Sequence, residues 1–166
     1  MELKTHKEEM RCIEGCTKMS DYPVWWDTTI TVYNKYTDPQ TLVITWYRHV
    51  LHNCFWKNAS EKINIGNTVL ETNNIICRVP KDDAYVPKYI WVQIPNDRMQ
   101  DFFTFAPGDI IVKGEVQDQI DEYIAGHRSN DIKAKYKEMQ GCLEIQDASV
   151  NVGAGRNNEH YYVRGI

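Results

Sequence analysis

The stretch from Trp25 to Lys57, WWDTTITVYNKYTDPQTLVITWYRHVLHNCFWK, constrains the fold more than any other part of the chain. Thr29, Ile30, Thr31, Val32 and Tyr33 form one β-branched and aromatic run, and Leu42 to Val50 form a second. Side chains of this kind pack well across a pleated surface, so both runs predict strands. Between them lies Tyr36-Thr37-Asp38-Pro39-Gln40, where Pro39 sets φ and Asp38 can bond the backbone two residues on. A hairpin follows from that pattern, with a third apolar piece, Cys54-Phe55-Trp56, close behind. The stretch holds no nucleophile beside a base, no phosphate loop and no metal-ligand set. It reads as wall, not as chemistry.

Downstream, Ile75 to Val79 reads as a strand that Pro80 stops, and Tyr89 to Ile94 (YIWVQI) as another, closed by Pro95. Phe102 to Phe105 is a short aromatic piece, extended after a helical lead. Ala106-Pro107-Gly108-Asp109 carries Pro ahead of Gly, as a type II turn prefers, and launches a strand over Ile110 to Val116. Gly114 inside that strand marks a bulge or a close backbone approach. A helix is predicted from the Ser129, Asn130 and Asp131 cap choices to Gln140, with Ile132, Tyr136 and Met139 on one face and Gly141 as its stop. Cys142 to Val152 and His160 to Val163 read as the last strands. The polar segment Asn58 to Asn74 reads as a hairpin excursion or a long loop. Seven or eight short strands with one inserted helix predict an all-β fold, a small barrel or sandwich. It forms a single domain over residues 22–166, with the helix inserted around 129–140 and a charged arm or short helix over residues 1–21.

Composition narrows the function classes. A net charge of −4 and a pI near 5.7 argue against gripping a nucleic-acid backbone, which takes clustered Lys and Arg. No apolar run approaches membrane-span length, and MELKTHKEEM lacks the apolar core of a signal peptide. Five scattered cysteines, an odd count, read as reduced intracellular thiols. Cys12 and Cys16 have C-x3-C spacing beside His6, yet no second pair at ligand spacing follows, so they read as ordinary thiols and no metal or cofactor is expected. His49 and His52 lack a positioned nucleophile, which makes them surface or cross-strand residues. Glu115, Asp118, Asp121 and Glu122 form the densest acidic cluster; a two-metal nuclease uses such groups, and a solvated loop is the plainer reading. Gly153-Ala154-Gly155-Arg156 lacks the Lys-Ser/Thr of a phosphate loop and precedes a strand. No catalytic residue is assigned.

The segments DTTITVYNKYTDPQTLVITWYRHVLHNCFWK, PGDIIVKGEV, GHRSNDIKAKYKEMQGCLEIQDASVNVG and NNEHYYVRGI, in that order, resemble the minor capsid or head-closure proteins of tailed phages of Gram-positive bacteria. The likeness runs from Trp25 to Ile166 and rests on the order of the segments. It implies a non-enzymatic head-completion or stopper protein of the virion neck, assembled in the host cytoplasm. Its implied partners are further copies in a ring (a hexamer or dodecamer), the portal or adaptor, tail terminator or tail tube proteins, and the double-stranded DNA in the channel, with no membrane. An acidic chain suits a channel that DNA slides past. Within this reading the channel-gating residues are Asn58, Glu61, Lys62, Asn64, Gly66, Asn67, Thr68 and Glu71. The subunit seam falls to Trp25, Trp26, Tyr33, Tyr36, Trp46 and Tyr47, through edge pairing of the first strand. A connector adaptor, a tail terminator, the nuclease and a free-standing ligand-binding barrel are the alternatives.

Overall fold

A computed structural model describes residues 22–65, 68–139, 141–152 and 159–166, with backbone alone over 60–65 and 68–72. The arm over residues 1–21, with Cys12 and Cys16, and the segment 153–158 lie outside the described residues. Six strands are described: β1 (Thr28–Thr37), β2 (Ile44–Ile65), β3 (Thr68–Pro80), β4 (Ile110–Lys113), β5 (Cys142–Asn151) and β6 (His160–Gly165). They close into one antiparallel barrel in the order β1-β2-β3-β6-β5-β4. The mainly β expectation therefore holds, in its barrel form.

The hairpin turn uses Asp38 as expected but lies further along than Tyr36–Gln40. Tyr36 and Thr37 still belong to β1, Leu42 takes φ 60 within the turn, and β2 starts only at Ile44. Asp38 Oδ1 accepts the N–H groups of Gln40 and Thr41 at 2.8 and 2.9 Å, which aligns Thr37 opposite Ile44. Asn53, at φ 57, sits where the register slips between Thr28↔Cys54 and Ile30↔Leu51. Such a bulge bends the strand, and here it turns β2 from β1 toward β3. The Pro107-Gly108 turn is also as expected: Gly108 takes φ 90 and the Asp109 N–H reaches Ala106 O at 3.0 Å.

Three expectations are corrected. Cys54-Phe55-Trp56 continues β2, and the Asn58 to Asn74 excursion is the far end of β2 paired with the start of β3, so fewer and longer strands form. YIWVQI is no strand; Lys88–Trp91 is a short helix, α1. Pro87 carries φ −57 at its start, its carbonyl accepts the N–H groups of Ile90 and Trp91, and Trp91 is fully buried beneath Tyr36 and Tyr47. One buried indole outweighs the β propensity of its neighbours. The third concerns α2 (Ser129–Met139): Ile132 and Tyr136 are buried as expected, but Met139 is 68% exposed. The helix begins one residue after Arg128, whose N–H is accepted by Asp131 Oδ2 at 3.2 Å, one half of a capping box. Gly141, at φ 105, returns its N–H to Tyr136 O at its end.

Two apolar clusters flank β1, β4 and β5. Ile30, Val32, Ile111, Leu143, Ile145 and Val163 fill the barrel interior with Phe103 and Phe105. Tyr33, Ile110 and Val112, on the opposite face, pack with Trp46 and Val116 under Ile132 and Tyr136 of α2. Burial on both faces explains the unbroken buried run from Ile30 to Asn34.

Candidate interaction surface

β2 pairs with β1 as far as Cys54, and β3 pairs with β6 from Ile75 to Pro80. Between those limits the two strands pair only with each other, through Ser60↔Asn73, Lys62↔Glu71, Asn64↔Val69 and Ile65↔Thr68. The result is a two-stranded ribbon that runs past the barrel wall for roughly 20 Å at ~3.3 Å per residue. Its outer edges, Ser60 to Ile65 and Thr68 to Asn73, have no third strand among the described residues. Such an edge is a row of backbone donors and acceptors that can template another chain.

A groove lies at the ribbon's base. One part, of about 460 Å³, is lined by Asn58, Asn73, Ile75, Lys137, Cys142 and Ile166 among others. A second, of about 320 Å³, shares Lys137, Cys142 and Ile166 and adds Lys133, Glu144 and Gln146. Lys133 Nζ lies 2.6 Å from Glu144 Oε2, and Trp56 Nε1 donates to Asn58 Oδ1 at 3.1 Å. The Trp56 ring rests on Gly141, where an added Cβ would meet its Cζ2 at 3.2 Å. The floor is thus partly apolar, with amides and two lysines at the rim.

The residues expected at the gate and seam fall out unevenly. Asn58 is exposed at the ribbon base; Glu61, Lys62, Asn64, Thr68 and Glu71 lie on the ribbon backbone, their side chains outside what is described. Gly66 and Asn67 lie outside the described residues. Of the seam residues, Trp26 (7% exposed), Tyr33 (0%) and Trp46 (8%) are buried within the chain, so they serve its core. Trp26 stacks on Tyr22 and meets His160 edge-on. Tyr33 donates its hydroxyl to Asp118 O at 2.6 Å, and Trp46 Nε1 donates to Glu122 Oε1 at 3.0 Å. Tyr36 and Tyr47 are half-buried around Trp91, and Trp25 remains 68% exposed. Edge pairing through β1 is also corrected. From Ile30 to Tyr33 it has β2 on one side and β4 on the other, because barrel closure uses both its edges. The longest edges without a third strand among the described residues lie on the ribbon, with shorter ones where β1 and β5 run past β4.

Other candidate groups are engaged separately. Asp118 Oδ2 accepts from Lys135 Nζ and Tyr136 OH, both at 2.6 Å, and these bonds hold its carboxyl below the usual range. Glu122 faces Trp46, Asp121 Oδ1 accepts the Tyr123 N–H, and Glu115 accepts from Gln117. Among the described residues no group of three or more His, Cys, Asp and Glu is arranged to hold a metal ion. Burial depresses His49 to about 4, with Arg48 adding to the effect, while His52 contacts Thr29 Oγ1 at 3.1 Å. Cys54 and Cys142 are pushed up to about 12 by burial, which leaves their thiols inert. No described helix is long and apolar enough to cross a membrane.

Sequence reasoning did not single out Asp109, which is 1% exposed. Its Oδ1 accepts from Lys35 N at 2.8 Å and Lys88 Nζ at 3.4 Å; its Oδ2 accepts from Asn34 Nδ2 at 3.0 Å and Ala106 N at 3.1 Å. Burial raises its pKa and lowers that of Lys88, and their mutual attraction offsets part of each shift. This clasp ties β1, α1 and the turn before β4 together; a lone acid just after Pro-Gly was its only trace in the sequence.

No curated protein and no solved structure matches the chain. A family model described as a family of unknown function, DUF6751, matches residues 25–166. The barrel, its ribbon and the groove all fall within that span, and the chain belongs to the DUF6751 family.

Proposed function

We propose that this protein is a structural component of the neck of a tailed phage, a head-completion or stopper subunit that acts as a ring below the portal or adaptor. The observation that carries the reading is the closed barrel with a projecting ribbon whose edges have no third strand among the described residues. A barrel wall gives a ring a rigid body, since closure removes the strand edges that would otherwise aggregate. The ribbon gives that body one long element free to contact DNA, a neighbour or a tail protein. The order of the sequence segments from Trp25 to Ile166 supports the same assignment. Net charge supports passage over adhesion: an acidic ring repels phosphates and does not bind DNA tightly. In this reading the ribbon reaches the channel, and the opposite face of the ring receives the tail.

The test is a phage deleted for the gene. The expected phenotype is heads that package DNA and then lose it, with free tails accumulating. Intact, DNA-filled, tailed particles from the deletion would overturn the proposal.

A further inference from the structure

We infer that the ribbon is the seam between copies of this chain, the β2 edge of one ribbon pairing with the β3 edge of the next. The inference rests on the ring of the proposed function and says what holds it together. The two edges, Ser60 to Ile65 and Thr68 to Asn73, have no third strand among the described residues and lie on opposite sides of one ribbon. A two-stranded ribbon alone is at best marginal in water and needs a third strand for independent stability. Copies related by rotation about one axis hold every ribbon in the same sense, with β2 running one way and β3 the other. The β3 edge of one copy then meets the β2 edge of the next antiparallel, the same ladder that joins them within the chain. The contact is head-to-tail, so it propagates until rotation closes it, and closure pairs every ribbon edge. A two-fold pair, β2 on β2 or β3 on β3, uses one edge of each copy and leaves the other bare.

Charge favours the second copy in this arrangement. The ribbon carries Lys62 on β2 and Glu71 on β3, which oppose each other within the chain. Repeating that register between copies sets Lys62 of one beside Glu71 of the next, whereas pairing β3 on β3 brings Glu71 toward Glu71. Nucleic acid is the poorer occupant, since Glu61 and Glu71 outnumber Lys62 on the ribbon.

The test uses full-length chains in which Cys12 and Cys16 are serine, carrying either Lys62→Cys or Glu71→Cys. A short thiol crosslinker that tolerates a two-residue register offset is added to each chain alone and to their mixture. Covalent dimers are expected to form faster in the mixture than in either chain alone. Dimers that form faster from Lys62→Cys alone or from Glu71→Cys alone than from the mixture overturn the inference, because they report two-fold pairing, whereas like positions in adjacent copies of the ring lie two strand spacings apart. A second chain replaces residues 60–73 with Asn-Gly, leaving both apolar clusters in place, and its mass in solution is compared with that of the full chain. Loss of the oligomer is expected. A shortened chain that still assembles overturns the seam and leaves the ring standing, whereas a full-length chain that stays monomeric at every concentration overturns both.

Discussion

Replacing Asp109 by Ala tests how the barrel is held to the segment that plugs it. The carboxylate is buried and accepts four hydrogen bonds, yet two donors keep other acceptors: Asn34 Nδ2 also reaches Thr104 O at 2.7 Å, and Lys88 Nζ reaches Lys35 O at 2.6 Å. The N–H groups of Lys35 and Ala106 depend on Asp109, and each buried donor left without an acceptor costs about 1–3 kcal/mol. Relief from burying the carboxylate, whose pKa burial raises, offsets part of that sum. The expected net loss is about 3 kcal/mol, a large share of the ~5–15 kcal/mol typical of a domain. With a urea m-value of ~2 kcal/mol/M, the unfolding midpoint moves down by about 1.5 M at unchanged slope. Asp109→Asn is expected to recover only part, since its amide NH₂ would face donors. A loss below about 1 kcal/mol for the alanine variant would refute the clasp.

Three further outcomes follow from the same contacts. His49 folds as the neutral ring, so the unfolded chain takes up its proton first and stability falls as pH drops from about 6.5 toward about 4. Discounted for partial exposure, the loss is about 2 kcal/mol, and His49→Leu should flatten that part of the stability–pH curve; an unchanged slope would contradict it. Gly165→Ala drives a Cβ into Glu144 O, a backbone atom where β6 meets β5, and is expected to lose at least about 2 kcal/mol in thermal melts. Cys54, Cys77 and Cys142 should stay unreactive toward a thiol reagent in the folded Cys12→Ser, Cys16→Ser chain and react together on unfolding. Fast labelling of any of the three in the native state would show that site to be open.

What the sequence disclosed was local. Asp38 caps its own turn within three residues, Pro107-Gly108 needs nothing beyond itself, and Asp131 sits one turn into the helix it starts. Contacts distant in sequence were not legible. That β1 lies between β2 and β4 depends on Ile30↔Lys113 to Tyr33↔Ile110, pairs about 80 residues apart. Without them Tyr33 and Trp46 look like surface aromatics, when loop 116–120 and α2 cover them. Trp91 misled for the same reason: its partners Tyr36, Tyr47 and Phe102 O come from elsewhere in the chain. The ribbon was half visible. Its polar residues suggested a loop, and only the continuous register from Phe55↔Arg78 to Ile65↔Thr68 reveals paired strands.

The central claim is that this chain is a subunit of the phage neck. Mass spectrometry of purified particles, with crosslinking to locate neighbours, tests it most directly. The account expects the chain in each particle at ring stoichiometry, crosslinked to itself and to the portal or adaptor. Its absence from the particles would contradict the account.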